Sequence, residues 1–154
     1  MKTFAASMYK QQGLSDDFVE QFFSTSRAGV IRGMHFQLPP YDHVKLVQCI
    51  RGEIVDVLLD LRVDSPTFKS HLSLRLTGEE CDAVYIPAGI AHGFASIADE
   101  SLVLYNVTSE HSVKHDAGVR WDSFDYIWPV ANPILSSRDK SLPHLSDFVS
   151  PFKV

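Results

Sequence analysis

The chain is expected to fold as an all-β antiparallel sandwich of the jelly-roll type, and three observations point there. Short β-rich stretches arrive about every ten residues, separated by turn residues. Helical periodicity is scarce, and only Ser136–Leu142 suits a short C-terminal helix. Hydrophobic residues make up 45% of 154, enough for a real core, and no repeat, low-complexity tract or composition shift divides the chain. Residues 1–154 therefore read as a single domain.

Taken in order, residues 1–28 carry no clear element, but Phe18, Val19, Phe22 and Phe23 form a cluster that needs burial against this subunit or another. Gly29-Val-Ile-Arg-Gly-Met-His-Phe-Gln-Leu-Pro-Pro40 reads as a strand stopped by two prolines. Alternation sets Ile31, Gly33 and His35 on one face and Arg32, Met34 and Phe36 on the other. Arg32 and His35 reach one ligand only if the strand bends, and Gly33 makes a bend cheap. Val44–Ile50 is a second strand, and Ile54–Asp60 follows it across the turn-like Arg51-Gly-Glu53. Leu72, Leu74 and Leu76 alternate with Ser73, Arg75 and Thr77, as in a half-buried strand. Ala83–Ile86 ends at Pro87-Ala-Gly-Ile90, a turn signal, and two more strands lie around His92–Ile97 and Leu102–Val107. From Val113 the tail is rich in aromatic and turn residues.

The net charge of −5 argues against a nucleic-acid surface, while leaving room for a local Arg/Lys cluster that binds an anion. Cys49 and Cys81 form no motif, which suits a reducing cytoplasm. No apolar run approaches the roughly 20 residues of a membrane span, and the first residues lack the hydrophobic core of a signal peptide. No membrane partner is expected.

Seven histidines raise the question of a metal. Pro87-Ala-Gly-Ile-Ala-His92 has the shape of the second cupin motif, and cupins often hold one. The first cupin motif supplies His-x-His, whereas here His35 is followed by His43 eight residues on, and no third ligand is visible. A serine elbow, a base beside Cys49 and a glycine-rich phosphate loop are equally missing. His35, Lys45, His92, Tyr105 and Asp139 are of types that move protons or hold an oxyanion.

Arg32-Gly-Met-His-Phe-Gln37, Lys45-Leu-Val47, Arg51-Gly-Glu53, Asp60-Leu-Arg62, Ser65-Pro-Thr-Phe68, Ile86–Phe94, Leu104-Tyr105, Arg120-Trp-Asp122 and Pro133-Ile-Leu-Ser136 with Asp139 occur in that order. The ordered set resembles the dTDP-4-dehydrorhamnose 3,5-epimerase family, a metal-independent branch of the cupins, over about residues 18–142. The resemblance implies a cupin-type jelly roll, no cofactor and a homodimer with residues 1–28 near its interface. It implies inversion of C3, C5 or both in a nucleotide-diphosphate 4-keto-6-deoxyhexose, through an enolate. By the same likeness His35 is the base, Asp139 its brace, Tyr105 the acid and Lys45 the support of the oxyanion. Arg32 faces the diphosphate, His92 lines the sugar site, and Gln37 and Lys140 join them as substrate-binding positions.

The chain also departs from the family pattern. Asp-x-Arg-Gly-Phe-Phe does not occur, and the region of Gln-x-Asn-x-Ser reads Glu20-Gln21-Phe22-Phe23-Ser24. An aromatic residue after the tyrosine is replaced around Ser109-Glu110-His111. These positions help hold the nucleotide, so CDP or GDP stand beside TDP as carriers. A ketoisomerase on a similar substrate and a non-catalytic sugar-nucleotide binder are the alternatives.

Overall fold

The computed structural model describes residues 3–154. A short helix, α1 (Ala6–Gln11), precedes β1 (Glu20–Ser26), β2 (Ile31–Gln37), β3 (Lys45–Arg51), β4 (Glu53–Asp60), β5 (His71–Thr77), β6 (Ala83–Ile86), β7 (Ile90–Ser96), β8 (Ser101–Val107) and β9 (Asp116–Gly118). A one-turn helix, α2 (Ser137–Ser141), and a 3-10 turn at Leu145–Asp147 close the chain. The strands form two antiparallel sheets, ordered β1-β8-β3-β6 and β5-β4-β7-β2-β9. This is the antiparallel jelly-roll arrangement that the strand spacing predicts.

Alternation decides what each strand contributes. Val103 and Tyr105 on β8 point between the sheets with Val47 and Cys49 on β3, and meet Ile54, Leu76 and Phe94 from the facing sheet. A second apolar cluster covers the other face of the five-stranded sheet. There Val57, Leu59, Ala91, Ala95, Ile31 and Met34 pack under Trp128, Leu145 and Phe152 of the C-terminal tail. With both faces buried, β4 reads as the near-continuous apolar run Ile54–Leu59 rather than as an alternating one.

The β2 strand departs from simple alternation. Its pairing with β7 shifts register between Arg32 and His35. Gly33 sits there at φ +129, and a Cβ on it would lie 2.5 Å from Gly93 Cα. The shift changes the face assignment expected from period two: Ile31, Met34 and Phe36 pack in the outer cluster, while Arg32 and His35 both turn inward. One irregular step thus brings a guanidinium and an imidazole to the same cavity.

The N-terminal region holds two elements that the sequence pattern does not signal, α1 and β1. Phe18 packs edge-on against Phe4 and Tyr9, but Val19 and Phe23 stay 59% and 69% exposed within this chain. Among the described residues no helix is long and apolar enough to cross a membrane.

Candidate active site

A cavity of about 350 Å³ opens between the two sheets, within the size range of small-ligand sites. The four-stranded sheet contributes Glu20, Phe22 and Ser24 from β1, Lys45 from β3 and Tyr105 and Val107 from β8. The five-stranded sheet contributes Arg32, His35 and Gln37 from β2, His92 and Phe94 from β7, and Asp116 from β9. Antiparallel register sets the rows: Glu20 and Lys45 each pair with Val107, and Phe22 and Val47 each pair with Tyr105.

His35 Nε2 donates to Asp139 Oδ1 at 2.5 Å. An ionised carboxylate only accepts, so the Nε2–H tautomer is selected and Nδ1 carries the lone pair. Asp139 is held in turn by the N-cap of α2: Ser136 Oγ accepts from Asp139 N–H at 3.0 Å and donates to Asp139 Oδ2 at 2.8 Å. Burial draws His35 below the ordinary imidazole value, against the opposing pull of the Asp139 hydrogen bond, so the ring is neutral near pH 7. Asp139 is also buried, which alone would raise its pKa, yet the His35 hydrogen bond and charge hold it below the usual carboxylate range.

Lys45 Nζ donates to the His35 carbonyl at 3.1 Å, which ties β3 to β2 across the cavity. Burial pushes its ammonium down to about 8, with Asp116 and Asp56 opposing. Tyr105 is 7% exposed, and burial raises its phenol well above the ordinary value of 10.0, so it holds its proton at any physiological pH. His92 is a Cα partner of His35 across β2 and β7, and its Nε2 bonds Asp56 Oδ2 at 2.7 Å.

Of the remaining expected residues, Arg32 lines the cavity with its Nε donating to Ser26 Oγ and an Nη to the Thr25 carbonyl. Gln37 also lines it, but its amide is engaged with the neighbouring loops: Oε1 accepts from Ser112 N–H at 2.6 Å and Nε2 donates to the Tyr41 carbonyl at 2.9 Å. Lys140 is exposed and off the cavity wall; Arg138, two residues earlier, lines it and donates to Asp116 Oδ1 at 2.6 Å. Successive helical residues turn about 100° apart, so with Asp139 aimed inward its two neighbours splay to opposite sides. Among the described residues no group of three or more His, Cys, Asp or Glu side chains is disposed to hold a metal ion.

His43, Asp116 and Arg138 line the cavity without having been expected there. Glu20, Phe22, Ser24, Ser109 and His111, which also line it, belong to the two stretches where the chain departs from the family's nucleotide-holding pattern. His43 reaches the wall from the loop before β3, and burial pushes it down to about 3, which keeps it neutral.

The arrangement offers a neutral base braced by a carboxylate, a protonated phenol and a buried ammonium around one small cavity, the set required to make and requench an enolate.

Comparison with known proteins identifies the family. The profile of the dTDP-4-dehydrorhamnose 3,5-epimerase family matches residues 1–147. The dTDP-4-dehydrorhamnose 3,5-epimerase of Shigella flexneri is 38% identical over 142 residues, covering 90% of this chain and 78% of its own. The crystal structure of the Bacillus anthracis enzyme with TDP and PPi bound superposes with a TM-score of 0.92 at 39% identity, covering 94% of this chain and 84% of that one. An epimerase from Legionella pneumophila in complex with dTDP-4-keto-L-rhamnose gives 0.91 at 31% identity, covering 96% and 80%. On the span of the family match and the identity to its members, the chain belongs to the dTDP-4-dehydrorhamnose 3,5-epimerase family.

Proposed function

We propose that this chain inverts one or both carbons flanking the ketone of a nucleotide-diphosphate-linked 4-keto-6-deoxyhexose. The ketone acidifies the neighbouring C–H bonds. His35 Nδ1 takes the proton, and the bonding pair moves into the carbonyl to give an enolate. The ammonium of Lys45 steadies the enolate oxygen, and Asp139 steadies the imidazolium. Tyr105 then delivers its phenolic proton to the opposite face of the carbon. Solvent reprotonates the phenolate and takes the proton from the imidazolium, so the cycle closes with no net gain or loss of atoms. Arg32 takes the diphosphate, Arg138 adds a second guanidinium at the wall, and His92 with its Asp56 partner borders the sugar.

The observation that carries this reading is the Asp139–His35 pair sharing a small cavity with a phenol kept protonated by burial. Two such groups with opposed proton states are what inversion requires, since one must take while the other gives. The free thiols Cys49 and Cys81 fit our assignment of the chain to the cytoplasm.

The test is incubation with TDP-, CDP- and GDP-linked 4-keto-6-deoxyglucose in D2O, followed by NMR. Deuterium entering C3 and C5 with inversion at both is the expected outcome, and the carrier that reacts identifies the nucleotide. Labelling at one carbon reduces the activity to a mono-epimerase. Migration of the carbonyl makes the chain a ketoisomerase, and tight binding without exchange makes it a binder. His35→Ala should lower exchange by about a thousandfold or more, the scale of a lost general base, with circular dichroism unchanged. Exchange near the wild-type rate in that variant would remove His35 from the mechanism.

A further inference from the structure

We infer that Phe22 is a positioning residue for Tyr105, and that proton delivery depends on it while proton abstraction does not; the inference rests on the reading of Tyr105 as the acid. The two residues are Cα partners across β1 and β8. Their rings stack at a centroid distance of 4.6 Å with planes 10° apart. On another side the Tyr105 ring meets His92 edge-on at 6.0 Å and 71°. Both Phe22 and Tyr105 line the cavity.

The polar end of Tyr105 is held far less firmly than its ring. The one hydroxyl contact among the described residues is Ser24 Oγ at 3.5 Å, long for an O–H···O bond, where about 2.7–2.8 Å is usual. The phenolic oxygen lies on the axis about which a tyrosine ring turns, so a tilt of the whole side chain, not a flip of the ring, displaces it. What packs on the ring faces limits that tilt, and Phe22 supplies the face-to-face contact. The base has no such dependence: His35 is oriented by Asp139 and Ser136 on the opposite side of the cavity. Removing the Phe22 ring leaves that pair intact while freeing the phenol to swing and admitting water beside it.

The two half-reactions can be read separately. In D2O, abstraction and return by His35 alone labels the carbon without inverting it, whereas inversion needs Tyr105. Phe22→Ala should slow net inversion about 100-fold, the scale of a reacting group misplaced by roughly 1 Å. The initial rate of deuterium entry should fall far less than net inversion does, so the ratio of inversion to labelling at saturating substrate reports the effect whatever the change in KM. Phe22→Tyr keeps a flat ring over Tyr105 and should restore the wild-type ratio of inversion to labelling. Phe22→Leu preserves apolar bulk without the flat face and reads the same ratio should the alanine variant not fold.

Equal loss of labelling and inversion in the folded alanine or leucine variant overturns the inference, as does an unchanged ratio in both. A tyrosine variant as impaired as the alanine one also overturns it. Tyr105→Phe separates this inference from its premise. If that variant inverts at the wild-type rate, the assignment of the acid is wrong. If it loses inversion while Phe22→Ala keeps it, the acid stands and the positioning role falls.

Discussion

His35 is under two opposed influences. Burial favours its neutral form, while the Asp139 carboxylate 2.5 Å away favours the cation. Burial prevails, so the pKa lies below the ordinary 6.5 and the ring is ready to accept a proton at neutral pH. Lys45 must instead be charged to meet an enolate, and its pKa is pushed down to about 8. The sign of each limb follows. On raising the pH, kcat/KM should climb through an acid limb below 6.5 as His35 loses its proton, then fall through an alkaline limb near 8 as Lys45 does. Lys45→Arg keeps a positive charge at all these pH values and should erase the alkaline limb even where the rate drops. An alkaline limb that survives the substitution belongs to another group. Ser136 offers a second test, because its hydroxyl both caps α2 and holds Asp139. Ser136→Ala should cost about 1 kcal/mol of stability, seen in urea melts, together with a fall in kcat as the brace loosens. A stability loss with kcat untouched would make the cap purely structural.

The β2 strand depends on one residue. A methyl group on Gly33 would fall 2.5 Å from Gly93 Cα and 2.9 Å from the His92 carbonyl, on backbone that cannot yield, at φ +129. Gly33→Ala should therefore destabilise by about 3 kcal/mol or more, measured by urea denaturation, and it should disorder Arg32 and His35 together. A loss under about 1 kcal/mol would mean that β2 does not need this conformation. The same strand shows why the sequence was only partly readable. Period two holds on β8, where one face meets the core and the other is half-exposed; on β5 the leucines alternate in the sequence, but Leu72 is 55% exposed and Thr77 is buried, so burial there does not follow the pattern. It breaks at Gly33, where the pattern foretells a bend but not which face each later residue takes. It is hidden on β4, since a strand buried on both faces has no polar side to alternate. β1 escaped because Phe22 and Phe23 are adjacent, one stacked on Tyr105 and the other 69% exposed. β9 is only three residues long and depends on its partner β2 rather than on local propensity. At the site, ordered motifs led to His35, Lys45, His92 and Tyr105, which line one cavity. Choosing between Arg138 and Lys140 required the direction each takes from α2, which one turn of helix cannot encode in its sequence.

At the scale of the whole molecule, one apolar sheet edge lies close to the chemistry. β1 ends the four-stranded sheet, with β8 on one side and no strand on the other among the described residues. α1 and its flanks cover the far part of this sheet, where Tyr9 meets Tyr85, but Val19 and Phe23 remain 59% and 69% exposed. An unpaired edge carrying large apolar side chains is a surface that proteins normally cover. We propose that a second copy of the chain covers it. A stable interface takes roughly 800 Å² from each partner, about a tenth of the 8367 Å² that this chain exposes. One seven-residue strand is too small for that area, so the surrounding N-terminal residues must contribute, in keeping with an interface built from residues 1–28. Phe23 is the discriminating position: alternation turns it away from the face on which Phe22 meets Tyr105, so a change there perturbs association without entering the cavity. Analytical ultracentrifugation should give the wild type twice the chain mass of 17.3 kDa. Phe23→Lys should shift it toward the single-chain mass, and activity should fall in step with dissociation if the neighbour steadies β1 and, through Phe22, the acid. A wild type that sediments as one chain, or a lysine variant that stays paired, would place the association surface elsewhere.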